Sequence, residues 1–539
     1  MEIVRKTPKM ARSSSKRRNM SEIRYIDVYL DTDGLYPSFE KIIADMRGND
    51  AELVYQATRA TRIILDATDK SAIYDITDRG VIPICLGFLD SDSSTLQYEA
   101  ASILTIIARA ASDKISRGIP KFVELLKSTS VNVSEQSAVV LKIIGGNGLY
   151  MRDEIFKHNI AEVISEILQY QQPTSFLRKI INLISSLLHY KNPAPIDKMK
   201  MMIMELEHFL NYDEAEILSD TVLAIQIVTA HDSNCIQAVI DAGCVSILVQ
   251  LLDDSDCSVA GPAIQSIANI AKGTEAQIDA IVDAGCVPTL VQLLNVLDSS
   301  ITEPAIQSIA NIARGTEAQI DVIINAGVIK YMPQLLKNSS QNVVVATLEA
   351  IENVCAGKQS QIEHVIQEGI FNNIRDLLCS DIKILHEKAA SVVTNFFLHG
   401  SQKQIIHLIK EVNILPPLCE LMKTANDHSP ILLTILPGLN QMWSKLIDNC
   451  SQESWYLYTD IFVNAEGIEI LRSLQENGCD RIKDQAKQIL DEYFPIENEE
   501  SGEDWELAII EIQNRLAALE NAILFITGHV KPRKRNIGQ

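Results

Sequence analysis

Leucine, isoleucine and valine return every three or four residues through most of this chain, and between Glu214 and Lys410 the pattern itself returns every 42. Apolar spacing of three and four puts one buried stripe on each helix. The alternation expected of strands is absent, so the pattern predicts an all-α fold. The stretch from Ser255 to Asn295 shows how one copy is built. A first helix is expected near Val259, and a longer one through Ile264, Ile267 and Ile270 that stops at Gly273. Glu275 to Ala284 is expected as another helix ended by Gly285, where glycine enters the left-handed conformation without a Cβ penalty. Val287 to Leu294 is the last, with Pro288 in its first turn.

The copies match closely. Pro262-Ala-Ile-Gln-Ser-Ile-Ala-Asn-Ile-Ala271 recurs as Pro304-Ala-Ile-Gln-Ser-Ile-Ala-Asn-Ile-Ala313. Asn269, Asn311, Asn353 and Asn395 share one phase, and Gly243, Gly285, Gly327 and Gly369 another. Helical units with a period in the forties belong to armadillo or HEAT solenoids. Followed outward, the phase gives units near 52–91, 94–127, 129–170, 173–212, 213–253, 255–294, 297–336, 339–378, 380–422, 427–450 and 457–497. The unit at 94–127 is short, trimmed around Ser112 to Gly118, and that at 427–450 is the least regular. The expected architecture is an all-α, right-handed superhelical armadillo solenoid of about eleven repeats over 52–497. Such arrays offer a long surface to protein partners.

Charge sharpens this picture. The formal net charge is −22, yet residues 1–24 carry +6, which leaves −28 on the remainder. An acidic body repels nucleic acid and attracts basic peptides. No run is long and apolar enough for a membrane span, and no apolar core follows Arg5, Lys6 and Lys9 as in a signal peptide. The 10 cysteines lack paired metal spacing and fit reduced core residues. No phosphate-binding GxxxxGK[ST] loop, GxGxxG or HExxH is present, the histidines are dispersed, and Gly145-Gly146-Asn147-Gly148 sits where a helix–helix turn belongs. The expectation is a binding protein, not an enzyme, without cofactor or metal. Residues 498–539 form a separate tail: an acidic run from Glu497 to Asp504, then an amphipathic stretch, then Lys531-Pro-Arg-Lys-Arg-Asn536. Trp505, Ile509, Ile512, Leu516, Leu519 and Ile523 would share one helical face.

Several segments resemble the importin alpha family in order and phase. Glu214-Ala-Glu-Ile-Leu-Ser-Asp220 with Ile236-Gln-Ala-Val-Ile-Asp-Ala-Gly243 is similar to its fifth repeat. Leu177-Arg178 and Asn192-Pro-Ala-Pro195 resemble the fourth, and Glu387-Lys-Ala-Ala390, Thr394-Asn395 and Pro417-Leu-Cys-Glu-Leu-Met422 the eighth. Gln485 to Phe494 is similar to the closing helix of the tenth, and Lys16-Arg-Arg-Asn19 to the end of the importin-beta-binding segment. The resemblance implies a nuclear import adaptor that shuttles between cytoplasm and nucleus. It would hold Lys/Arg-rich localisation signals of cargo in its groove, bind importin beta through the basic segment at 1–24, and be returned by an export receptor of the importin-beta superfamily.

The departures bear on the site. The family pairs Trp with Asn four residues later, so that rings hold Lys and Arg stems by cation–π attraction and amides clamp the peptide backbone. Here the Trp positions hold Ser102, Val139, Asn182, Leu223, Gln265, Gln307, Glu349 and Ser391. The early Asn positions hold Ile106, Ile143, Ser186 and Ile227. The family's major site is therefore dismantled, while Asn269, Asn311, Asn353 and Asn395 remain as candidate cargo contacts, with Glu349 as a candidate acceptor for Lys or Arg. Two roles fit the asparagines: clamping a peptide, or bonding neighbouring backbone to fix the stacking. Lys16, Arg17 and Arg18 are the candidate importin-beta contacts, against an ordinary basic tail. One repeat more than the family pattern lies between 213–253 and 380–422. The alternative function is an armadillo scaffold that has lost signal binding and holds other partners.

Overall fold

The computed structural model describes residue 29 and residues 38–67, 70–190, 194–427, 429–447 and 452–494. It divides into two compact units, residues 1–284 and 285–539. All regular structure among the described residues is helical. In unit 1 six helices stack side by side in chain order: α1 (Ala51–Ala67), α2 (Ser94–Ala111), α3 (Val131–Gly145), α4 (Thr174–Leu188), α5 (Ala215–Thr229) and α6 (Cys257–Ile270). In unit 2 five do the same: α7 (Ser299–Ala313), α8 (Gln341–Cys355), α9 (Lys383–His399), α10 (Pro430–Ile447) and α11 (Asp480–Tyr493). Shorter helices lie between consecutive members of each stack and cover one side of it.

The repeat sets the local geometry. Gly243, Gly285, Gly327 and Gly369 all have φ between 65° and 83°, the left-handed turn expected from their phase. Asn159, Asn413 and Glu466 take the same turn with φ from 55° to 59°; of these, asparagine tolerates it best. The trimmed unit replaces its first short helix by a tight 3-10 segment, Ser112–Gly118. The Gly-rich stretch after α3 is a turn, with Gly148 at φ 142°.

Two expectations are corrected. Val259 does not start a helix of its own: Cys257–Ile270 is one helix with Pro262 inside it. Proline removes the N–H that would bond Ser258, and the Ser219 hydroxyl on α5 donates to that Ser258 carbonyl at 3.1 Å instead. The last two units are also divided differently. Helix α10 is followed by Gln452–Asn464 and Gly467–Asn477, which complete one unit, and α11 then stands as the long helix of the next.

The core is aliphatic and continuous within each stack. Ile264, Ile267 and Ile270 in unit 1 and Ile306, Ile309 and Ile312 in unit 2 are fully buried. The end of unit 2 is aromatic: the Trp443 ring lies 5.5 Å from Trp455, 5.4 Å from Phe462 and 5.1 Å from Phe494. These two tryptophans are buried core residues.

Candidate peptide-binding surface

Helices α7, α8 and α9 carry three asparagines at equivalent places. The Asn353 side-chain amide donates to the Ala310 carbonyl at 2.9 Å, and that of Asn395 donates to Glu352 at 3.3 Å. In unit 1 Asn269 does the same to Gln226 at 3.4 Å and sits within 3.4 Å of the Thr229 hydroxyl. Each amide thus reaches the last turn of the preceding helix in its stack; the Gln226 and Glu352 carbonyls there also accept the Ala230 and Ala356 N–H groups at 3.2 and 3.1 Å. Asn269 and Asn311 are buried. The stacking role left open by the sequence is therefore present in the geometry. At Asn353 and Asn395 it uses one N–H of an amide that has two donors and an acceptor.

The position four residues earlier forms a polar line across unit 2. Gln307 donates towards Asn311 and Glu349, both at 3.4 Å. The Lys388 ammonium is 2.9 Å from Glu349 and 3.8 Å from Glu352. Burial raises the Glu352 carboxyl above its usual range, opposed by Lys388 and reinforced by Glu349. So Glu349, expected to accept a cargo cation, already holds one of the chain's own. Asn311, Glu349, Asn353 and Asn395 are brought together on consecutive helices of unit 2, whereas Asn269 ends the stack of unit 1. Lys16, Arg17 and Arg18 lie outside the described residues, as does the C-terminal tail.

Unit 1 presents a different face. Ile106, Val139, Ile143 and Ile227 are half-buried there, and Leu223 is exposed. Its charges are tied up: Arg178 bridges Glu216 at 2.6 Å and Asp220 at 2.8 Å, and Lys142 donates to Asn182 at 2.8 Å.

A second ladder escaped sequence reasoning. Gln277, Gln361 and Gln404 are buried at the starts of short helices. The Gln361 side-chain oxygen accepts from the Lys358 N–H at 2.8 Å. Its amide donates to the Glu317 carbonyl at 2.8 Å and to Asp321 at 2.7 Å. Gln277 and Gln404 repeat both halves of this arrangement. The signal was there in the 42-residue spacing of Gln277, Gln319 and Gln361. Lys388 had no comparable periodic signal.

Other chemistry is sparse. Buried thiols are pushed up, those of Cys244, Cys286 and Cys419 to about 12, chiefly by desolvation, which keeps them unreactive. No cluster of three metal-ligating side chains occurs among the described residues. No single described helix is long and apolar enough to cross a membrane.

Stacked helices, left-handed glycine turns and the asparagine phase define an armadillo-repeat protein, and the armadillo/beta-catenin-like repeat family matches residues 232–272 and 274–314. The crystal structure of an engineered protein superposes with a TM-score of 0.67 at 26% identity, covering 75% of this chain and 98% of that one. The chain is 28% identical over 242 residues to importin subunit alpha-3 of Arabidopsis thaliana, covering 44% of this chain and 46% of the relative. Importin subunit alpha-1b of Oryza sativa subsp. japonica is 29% identical over 242 residues, covering 44% and 45%. The matched region spans less than half the length of these curated relatives. Within the armadillo class the chain is a divergent importin-alpha-like protein.

Proposed function

We propose that this protein is a nuclear import adaptor that holds Lys/Arg-rich localisation signals of cargo on the stacked-helix face of unit 2 and links them to importin beta. The observation that carries the reading is the pair Glu349 and Glu352 around Lys388, with Glu303 and Glu387 about two turns before Asn311 and Asn395 on their own helices. Carboxylates accept ammonium and guanidinium groups, and the remaining donors and acceptors of the Asn353 and Asn395 amides suit an extended backbone. Similarity to importin alpha subunits supports the same reading. Importin beta would be held through Lys16, Arg17 and Arg18, and an export receptor would return the adaptor, which would shuttle between cytoplasm and nucleus.

Fluorescence anisotropy with a labelled Lys/Arg-rich peptide tests the surface. Binding should be weak, weaken steeply between about 50 and 200 mM salt, and be lost in a Glu303→Gln/Glu349→Gln/Glu387→Gln variant. Binding indifferent to these changes would remove unit 2 as the site. Deleting residues 1–24 should abolish co-purification with importin beta while leaving peptide binding intact.

A second reading is a scaffold that holds non-basic partners. The apolar residues Ile106, Val139, Ile143, Leu223 and Ile227 on unit 1 favour it. Absence of any peptide binding together with absence of importin-beta binding would select it.

A further inference from the structure

Helix α11 closes the described chain, and the order of elements stops with it. In earlier units the long helix is followed by a short one that sits against the first short helix of the unit before. Glu275–Asp283 meets Ser233–Asp241 in unit 1, and Gln359–Gln367 meets Glu317–Asn325 in unit 2. Gln452–Asn464 occupies that place in the last complete unit. Among the described residues no short helix follows Tyr493.

The face left uncovered is apolar. Tyr456, Leu457 and Val463 are 38%, 44% and 41% exposed. They border a groove of about 520 Å³ that also includes Thr459, Ile468 and Phe494. In the interior units this contact is polar, made by the buried glutamines. Here the first short helix offers aromatic and aliphatic side chains instead, which suits an apolar partner. Terminal repeats of solenoids need a polar outer face to stay soluble, so an apolar last face calls for a cover.

The same chain supplies a fitting one. Phe494 lines the groove, and residues 495–539 continue from it. Ten residues separate Phe494 from Trp505, a reach of up to about 35 Å. The stripe Trp505, Ile509, Ile512, Leu516, Leu519 and Ile523 would run about 30 Å as a helix, longer than Gln452–Asn464. It also comes next in chain order, where the repeat calls for a short helix.

We propose that residues 505–525 pack along Gln452–Asn464 of the same chain and act as the closing helix of the array. This surface is distinct from the acidic face of unit 2 and does not depend on cargo binding.

Hydrogen exchange read by mass spectrometry on the full-length chain tests it. An Ile512→Asp/Leu516→Asp variant should exchange at least about tenfold faster across residues 452–464, with α7 unchanged. Leu457→Glu/Val463→Glu, on the other side of the contact, should do the same. Unchanged exchange over 452–464 in either variant would overturn the proposal. Sedimentation equilibrium should find a monomer. A dimer that the Ile512→Asp/Leu516→Asp variant loses would also overturn it, and would assign the groove to a second copy.

Discussion

Lys388 gives the most direct test of how the acidic face works, because its removal should improve function. Its ammonium contacts Glu349 at 2.9 Å and Glu352 at 3.8 Å, and all three side chains are between 25% and 32% exposed. A cargo lysine or arginine approaching Glu349 must share or displace it. Exposed ion pairs contribute about 0.2–1 kcal/mol, and charge-assisted bonds in less solvated sites about 1.5–3 kcal/mol. At this partial exposure a value near 1 kcal/mol is expected, which corresponds to about fivefold in affinity. Lys388→Met, which keeps much of the apolar stem, should therefore tighten binding of a basic peptide by about fivefold at low salt. Titration by fluorescence anisotropy reads this directly. The sign of the pH dependence is fixed as well. The folded Glu352 carboxyl is already raised by burial, so its contribution to stability is full below the unfolded value and is lost as pH rises through the folded one. Without Lys388 the rise should grow. Unit 2 should then melt lower near neutral pH and recover on acidification as Glu352 protonates. Unchanged or weakened peptide binding in Lys388→Met, with helicity intact, would refute the idea that this lysine competes with cargo.

Other consequences follow from the two ladders and the caps. Asn353→Ala should lower stability by about 1–2 kcal/mol by orphaning the Ala310 carbonyl, seen as reduced resistance to urea; equal resistance would make the 2.9 Å bond irrelevant to folding. Gln361→Leu should cost about 1–3 kcal/mol, because the Lys358 N–H loses its partner and the bonds to the Glu317 carbonyl and Asp321 are removed; a thermal melt matching wild type would contradict this. Asp298 is held below the usual carboxylate range by the Ser300 hydroxyl and N–H. Its cap therefore stabilises above the unfolded value and is lost as pH falls through the folded one. Asp298→Asn should flatten the acid limb of the melting profile, and an identical limb would show that the cap does not contribute to it.

The sequence by itself determined the all-α class, the 42-residue unit, the left-handed glycines and the places of the asparagines. These follow from local rules: three-and-four spacing makes a helical stripe, and the phase of a repeat carries each residue type to an equivalent site. It also showed that the tryptophan array is gone. The tertiary structure alone decided what the polar residues touch. Asn353 bonding Ala310, Gln361 bonding Glu317 and Ser219 bonding Ser258 join residues about 40 apart, a separation fixed by how helices lie on one another. Lys388 shows the difference most clearly. As a residue it is one cation on a helix, but the packing of α8 against α9 sets it between Glu349 and Glu352.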